Sequence, residues 1–226
     1  MSMVRAEMHC HTQASRDCLL SPERLVQCCT SKGIDRVIVT DHNSIAGAVA
    51  AHRIDPPRVV VGEEIMTTRG ELLAAYVQEE IPPGLSPQEA IARLREQGAF
   101  VSVAHPFDSS RKGSWREEHL LEILPLVDAV ETFNSRCLRT VHNRRATEFA
   151  LRLGLAGTVG SDAHTCWELG RATLALSDFS DAEGLRRAIR SAQATTRWSP
   201  PWIHLTSRYA VFRKRVQRLL DTSMSA

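Results

Sequence analysis

Side chains that can bind metal ions follow six short apolar runs along this chain, and this arrangement constrains the fold more than any other feature. The residues at the run ends are His9 and His11, His42, Glu64, His105, Asn134, and the pair Asp162 and His164. The carboxyl ends of parallel strands carry functional loops, and an open sheet would spread its outer strands too far apart for one shared site. We therefore predict an α/β fold, a distorted barrel of about seven or eight strands.

The segment Met8-His9-Cys10-His11-Thr12 shows how such a site begins. Side chains alternate between the faces of an extended strand, so His9 and His11 point one way and Cys10 points the other. Two such imidazoles can bind one metal ion, although an isolated pair is at least as often part of an ordinary edge strand. The further ligands favour the metal site, and mixed imidazole and carboxylate ligands suit manganese, zinc or iron.

Helix and strand signals alternate along the chain. Ser21-Pro22-Glu23 and Ser86-Pro87-Gln88-Glu89 are typical of capped helix starts. We predict helices near residues 21–32, 45–52, 86–97, 117–124, 143–153 and 181–191. We predict strands at residues 35–40, 58–61, 100–104, 128–133, 155–159 and 174–176, with a hairpin over 65–69 and 71–77 inserted among them. This alternation indicates βαβ units.

Length and composition are those of an ordinary globular protein. The chain has 226 residues, 43% of them hydrophobic and 24% charged. We predict one barrel domain over residues 1–200 and a basic helical tail over residues 201–226, which packs on the barrel or extends from it. A membrane-surface role for this tail is the less common alternative.

Charge, cysteine usage and hydropathy limit the class of protein. A net charge of +2 does not indicate a globally basic nucleic-acid binder. The six cysteines have no framework spacing, which predicts reduced, mostly buried thiols. The chain has neither a run of about 18 apolar residues nor an apolar leader, so we expect no membrane span and a cytoplasmic location.

Five short motifs resemble the polymerase and histidinol phosphatase (PHP) family, in the family's order and over roughly residues 4–176. They are His9-Cys10-His11-Thr12, Asp41-His42, Gly62-Glu63-Glu64-Ile65, Ala104-His105-Pro106 and Gly160-Ser161-Asp162-Ala163-His164. The part from residue 130 through residue 170 resembles the PHP-associated region of small stand-alone members. Those members resemble bacterial phosphoesterases and nucleotide-directed hydrolases.

The resemblance implies a distorted seven-stranded, TIM-barrel-like (β/α)7 barrel with two or three divalent metal ions. The first ion would be held by His9, His11, Glu64 and Asp162. The second would be held by Glu64, His105 and Asn134, and the third by Asp17, His42 and His164. Asn134 stands where many members have histidine, and a neutral amide is a poor ligand for a transition metal. Asp17 stands where some members have histidine and keeps a good ligand.

The resemblance also implies a metal-dependent phosphoesterase, which uses a metal-activated water on a phosphate mono- or diester. The substrate would be a nucleotide, an oligonucleotide or a small phosphorylated metabolite. We expect Asp162 or His164 to manage the proton of the water, and Arg16 or Arg136 to hold a phosphate oxygen. The alternatives are a C–N hydrolase of the amidohydrolase kind and a non-catalytic, metal-stabilised module that binds nucleic acid.

Overall fold

Strands and helices alternate through most of the chain. A computed structural model describes residues 2–224. The strands are β1 (Met3–Cys10), β2 (Arg36–Val39), β3 (Val59–Met66), β4 (Glu71–Ala75), β5 (Phe100–Val103), β6 (Ala129–Asn134), β7 (Ala156–Gly160), β8 (Ala172–Ser177) and β9 (Gln193–Thr196). The helices are α1 (Pro22–Ser31), α2 (Ala46–Ile54), α3 (Pro87–Glu96), α4 (Glu117–Ile123), α5 (Thr140–Arg152), α6 (Ala182–Ala188) and α7 (Ile203–Met224). β9 was not predicted, because its four residues are exposed and carry no apolar pattern.

The strands of the described chain form one sheet that curves into a nearly closed barrel. Their order is β7-β6-β5-β4-β3-β2-β1-β8-β9. β1, β2 and β3 pair in parallel, as do β5, β6 and β7. A parallel bridge between Cys10 and Ala163 joins the end of β1 to the chain after β7. The structure confirms the predicted α/β fold with a distorted, barrel-like sheet.

The predicted hairpin is present, and its second strand belongs to the barrel wall. β4 is antiparallel to β3, with Leu73 opposite Glu64, and antiparallel to β5, with Leu73 opposite Ser102. A strand that runs the opposite way begins where its neighbours end. Glu71, the first residue of β4, therefore lies at the same end of the barrel as the carboxyl ends of the parallel strands.

Serine caps begin two of the helices, as predicted. The side chains of Ser21 and Ser86 each accept a backbone N–H three residues further on, at 3.2 Å. These bonds satisfy N–H groups that a helix start otherwise leaves unpaired. Each helix then buries an apolar side chain completely, Leu25 on α1 and Leu94 on α3.

A disulfide joins two of the six cysteines, so the prediction that all are reduced is wrong. Cys28 on α1 is bonded to Cys166 in the loop after β7. The two are 138 residues apart, and no local spacing indicates the pair. The other four are free and buried, as predicted: Cys10, Cys18, Cys29 and Cys137. Disulfides are rare in the cytosol, and the cytoplasmic location stays a prediction.

The C-terminal helix α7 lies beside the strand ends. The guanidinium of Arg136 donates to the carbonyl oxygen of Ile203 at 3.2 Å and to the hydroxyl of Ser207 at 2.9 Å. Lys214 donates to carbonyl oxygens of the loop after β1, including that of Ser15 at 2.6 Å. Whether residues 201–226 form a unit separate from the barrel stays a prediction. Within residues 2–224, no helix is long and apolar enough to cross a membrane.

Glu63 on β3 is buried, and its surroundings predict a pH-dependent stability. One carboxylate oxygen accepts the backbone N–H of Ile81 at 3.0 Å, and the other has no hydrogen-bond partner. Burial raises the pKa of Glu63 from 4.5 to about 7. As pH rises, the Glu63 carboxyl group ionises at a lower pH in the unfolded chain than in the folded protein. The contribution of Glu63 to stability therefore falls between about pH 4.5 and pH 7, by at most about 3 kcal/mol.

We expect Glu63→Gln to remove this loss, because glutamine cannot ionise. The free energy of unfolding of Glu63→Gln minus that of wild type should therefore be larger at about pH 8 than at about pH 5. Urea denaturation at both pH values measures the gain. The exposed Glu118 supplies the control, and Glu118→Gln should show no such gain. A difference between Glu63→Gln and wild type that is the same at both pH values would contradict the prediction.

Candidate metal centre

One end of the barrel brings the predicted metal ligands together. We call these residues the strand-end cluster: His9, His11, Asp17, His42, Glu64, His105, Asn134, Asp162 and His164. His9, Glu64 and Asn134 lie in strands, and the others lie in the loops that follow strands. All are buried except Asp17 and His42, which are partly exposed. The cluster is therefore open to solvent beside those two residues.

Four side chains converge at the centre of the strand-end cluster. His9 Nε2 lies 3.4 Å from Glu64 Oε2 and 3.7 Å from Asp162 Oδ1. His11 Nε2 lies 3.5 Å from the same Glu64 oxygen and 3.1 Å from the same Asp162 oxygen. Ligands at about 2.1 Å from a tetrahedral ion are about 3.4 Å from one another. The four groups thus have the spacing of ligands around one ion.

Glu64 links this centre to two neighbouring histidines. Its Oε1 lies 3.0 Å from His105 Nε2, and its Oε2 lies 2.8 Å from His42 Nδ1. Glu71 Oε2 is 3.6 Å from His105 Nε2. Glu71 was not predicted as a site residue, although the reversed direction of β4 would have placed it here.

Asp17, His42 and His164 form the outer part of the strand-end cluster. A carboxylate oxygen of Asp17 lies 3.6 Å from His42 Nε2, and the other lies 3.2 Å from His164 Nε2. His11, His42 and His164 each offer a nitrogen within 4.8 Å of the other two. The residues predicted for the third ion therefore do lie together.

Several buried polar atoms of the strand-end cluster have no hydrogen-bond partner. They are His9 Nε2, Asp17 Oδ1, Glu64 Oε2, His105 Nδ1 and His164 Nε2. Each unsatisfied atom costs about 1–3 kcal/mol, and several at one place are rare in a folded protein. Imidazole nitrogen and carboxylate oxygen are ligands that zinc, manganese and iron accept. The residues present therefore fit a site for divalent ions of this kind.

The protonation states of His11 and Asp162 suit metal binding. Burial lowers the pKa of His11 to about 4, and neighbouring imidazoles add to the effect. Burial raises the pKa of Asp162, but the charges of Arg111 and His9 outweigh it and hold that pKa well below its usual range. Near neutral pH, His11 is therefore neutral and Asp162 ionised, and these are the forms that coordinate metals.

Glu131 on β6 positions His9 and was not predicted. Its Oε1 lies 3.0 Å from His9 Nδ1, and its Oε2 accepts the backbone N–H of His105 at 2.8 Å. A hydrogen bond at Nδ1 leaves Nε2 of His9 available to coordinate a metal ion at the centre of the strand-end cluster. Gly160 on β7 gives the pair room, because a Cβ there would lie 2.4 Å from both Glu131 Oε1 and His9 Cβ.

Asp41 positions the loop that carries His11. Its carboxylate accepts the backbone N–H of Thr12 at 2.7 Å and the hydroxyl of Ser15 at 2.6 Å. The Ser15 hydroxyl in turn lies 3.2 Å from His11 Nδ1. Asp41 thus acts on the strand-end cluster through a histidine rather than as part of it.

Asn134 directs its amide nitrogen, not its oxygen, toward the carboxylates. Nδ2 donates to Glu131 at 3.1 Å and to Asp162 at 3.2 Å. Oδ1 accepts the backbone N–H of Arg136 at 2.9 Å and faces Arg111 at 3.4 Å. In the opposite orientation the amide oxygen would face two carboxylates and repel them. The hydrogen-bond network therefore fixes the orientation in which Nδ2 faces the carboxylates. Asn134 positions Asp162, and its role as a metal ligand stays a prediction.

The two predicted arginines have different surroundings. Arg136 is buried, its guanidinium lies 2.7 Å from His164 Nδ1, and it pairs with Glu168 at 3.2 Å. These contacts position His164, and a contact of Arg136 with substrate stays a prediction. Arg16 is exposed and lines the cleft above the strand-end cluster.

Arg111 enters the strand-end cluster from the loop after β5 and was not predicted. Its guanidinium lies 2.7 Å from Asp162 Oδ2 and 3.1 Å from Asp108 Oδ2. The cleft above has a volume of about 410 Å³, and four cationic side chains line it together with Asp17 and Glu71: Arg16, Arg111, Lys112 and Arg136. Such a lining favours an anionic ligand.

The fold and the strand-end cluster define an α/β barrel protein with a candidate metal centre at its strand ends. The family described as PHP-associated matches residues 140–194. An uncharacterized protein of Methanocaldococcus jannaschii is 37% identical over 181 residues, which cover 78% of this chain and 72% of that protein. The chain belongs to the PHP family.

Two solved structures share this fold. One is a two-domain protein from Bacteroides vulgatus that contains a predicted PHP-like metal-dependent phosphoesterase. It has a TM-score of 0.67 and 18% identity, and the match covers 87% of this chain and 65% of that one. The other is a lesion-specific endonuclease from Pyrococcus furiosus, with a TM-score of 0.57, 15% identity, and coverage of 85% and 58%. At these identities the likeness shows the fold alone.

Proposed function

We propose that this protein is a metal-dependent phosphoesterase that uses manganese, zinc or iron. One observation carries the proposal: a cleft with a basic lining ends on a buried cluster of histidines and carboxylates. Metal ions and arginines together neutralise the oxygens of a phosphate group. The fold that the chain shares with a predicted phosphoesterase and with an endonuclease supports phosphate esters as substrates.

In this proposal the strand-end cluster holds two or three ions. The first is held by His9, His11, Glu64 and Asp162. The second is held by Glu64 and His105, with Asn134 as the predicted further ligand. The third is held by Asp17, His42 and His164.

The ions would supply charge stabilisation at phosphoryl oxygens and increase the acidity of water. Arg111 and Arg16 would bind non-bridging oxygens, since a guanidinium matches the geometry of phosphate. Asp162 or His164 would receive the proton of the attacking water. The basic lining suits a nucleotide, an oligonucleotide or a small phosphorylated metabolite.

We expect purified protein with Mn²⁺ to hydrolyse chromogenic phosphomonoesters, phosphodiesters or nucleotides. Inorganic phosphate should inhibit this activity by competing for the ions and arginines. An enzyme for C–N bonds would instead cleave amides and be insensitive to phosphate. Folded, metal-loaded protein that cleaves no phosphoester in a broad panel would refute the proposal. Salt-dependent binding of DNA or RNA without cleavage would indicate the non-catalytic module instead.

A further inference from the structure

A second group of potential metal ligands lies apart from the strand-end cluster. Asp108 follows β5, Cys137 follows β6, and His142 lies in the first turn of α5. Each offers one ligand atom, and the three atoms lie within 4.8 Å of one another. The proposed phosphoesterase chemistry uses none of them. We call these three residues the Cys137 site.

The Nδ1 atom of His142 is aimed into the Cys137 site, while its Nε2 faces the hydroxyl of Ser109 at 3.5 Å. The His142 side chain is 10% exposed, and Nδ1 lies 3.1 Å from Asp108 Oδ1. This approach does not have hydrogen-bond geometry, and Nδ1 is a buried nitrogen with no hydrogen-bond partner. A separation of this size is instead close to the about 3.4 Å between two ligands of one tetrahedral ion.

We propose that Asp108, Cys137 and His142 bind a zinc ion. Thiolate, imidazole and carboxylate together form a donor set that zinc accepts, whereas magnesium and calcium avoid sulfur. Three protein ligands leave the fourth position of a tetrahedral ion for water. The thiol must lose its proton to bind, so zinc binding releases a proton.

The surroundings of Asp108 resemble those of a metal-bound carboxylate. Its Oδ1 accepts the backbone N–H of Ser110 at 3.2 Å, and its Oδ2 pairs with Arg111 Nε at 3.1 Å. A carboxylate can accept these bonds and still coordinate an ion, and such bonds orient metal ligands. These contacts therefore hold the Asp108 carboxylate in a fixed orientation in which it can coordinate the ion.

A cysteine nucleophile is the competing interpretation of the Cys137 site. It would need a nearby group that favours the thiolate. Burial raises the pKa of the Cys137 thiol, the positive charge of Arg111 lowers it, and the negative charge of Asp108 raises it. The three ligand atoms that converge within 4.8 Å of one another fit a metal ion better than a lone nucleophile, which favours the zinc site.

Arg111 connects the Cys137 site to the strand-end cluster. The same guanidinium contacts Asp108 and, at 2.7 Å, Asp162. A zinc ion on Asp108 would anchor the loop that holds Arg111 over the cleft. Its role would be to position that loop, not to take part in the reaction.

Cobalt substitution tests the proposal on the full chain. A cobalt–thiolate bond gives a near-ultraviolet charge-transfer band, and the strand-end cluster contains no cysteine. We expect wild-type protein that is stripped of metal and reloaded with Co²⁺ to show this band, and Cys137→Ser to lose it. Cys18→Ser should keep the band. Cys18 is the matched control, because its sulfur lies 3.2 Å from the carbonyl oxygen of His164.

Zinc content provides a second readout that is independent of activity. Cys137→Ser and His142→Ala should each bind one equivalent less zinc than wild type, whereas Cys18→Ser and His119→Ala should not. Circular dichroism identifies any variant that fails to fold. If a variant does fail, the wild-type cobalt spectrum alone tests whether a thiolate binds the ion. A wild-type spectrum without a thiolate band, or a band that persists in Cys137→Ser, would overturn the zinc site. The proposed phosphoesterase would be unaffected by either result.

Discussion

Asp162→Asn should abolish hydrolysis of phosphoesters. The carboxylate lies within 3.7 Å of both His9 and His11 and pairs with Arg111 at 2.7 Å. Asparagine keeps the shape but removes the charge that the ion and the guanidinium both need. Loss of a group that merely supports a metal ligand costs about 10- to 100-fold, so we expect a loss of at least about 100-fold in kcat/KM with Mn²⁺.

Metal analysis and a matched aspartate complete this experiment. Asp162→Asn should also bind fewer metal equivalents than wild type. Asp178→Asn is the control, because Asp178 pairs with Arg36 outside the strand-end cluster and should not affect hydrolysis. Full activity of Asp162→Asn at the same Mn²⁺ concentration would show that the centre of the cluster is not the reaction site.

Glu131→Gln should weaken metal binding although Glu131 is not a proposed ligand. The carboxylate faces His9 Nδ1 and accepts N–H groups of His105 and Asn134. Glutamine has one acceptor oxygen and an amide that would face a donor, so His9 loses its fixed orientation. We expect an about 10- to 100-fold lower apparent affinity for Mn²⁺.

A titration of activity with Mn²⁺ separates positioning from general damage. If Glu131 acts through His9, high Mn²⁺ should restore much of the turnover of Glu131→Gln. The exposed Glu118 gives the control, and Glu118→Gln should show the wild-type metal dependence. An unchanged Mn²⁺ requirement for Glu131→Gln would exclude this positioning role.

The parts of the site that follow local rules could be predicted from the sequence. The alternation of side chains in β1 places His9 and His11 together, and their ring centroids are 5.1 Å apart. Glu71 followed from the same rules once the hairpin was recognised. A strand that reverses direction must begin at the functional end of the barrel, and this step was missed.

Other site residues depend on contacts that no local pattern encodes. Arg111 lies in an aperiodic loop, and its approach to Asp162 spans two elements of the fold. Glu131 resembles any polar residue in a strand until the position of His9 is known. The bond between Cys28 and Cys166 depends on how α1 packs against the loop after β7. Such contacts form only once the nearly closed barrel has assembled, so no local sequence pattern reveals them.

The place of β1 in the sheet has a consequence for the making of the protein. β1 pairs with β2, which is synthesised soon after it, and through residues 3–6 with β8, which is synthesised late. The end of β1 also bridges to Ala163. His11 and Asp162 are 151 positions apart. Until β8 has been synthesised, the edge of β1 that pairs with it stays unpaired. An unpaired strand edge can pair with the wrong strand. Metal capture at the centre can therefore follow only after almost the whole barrel has been assembled.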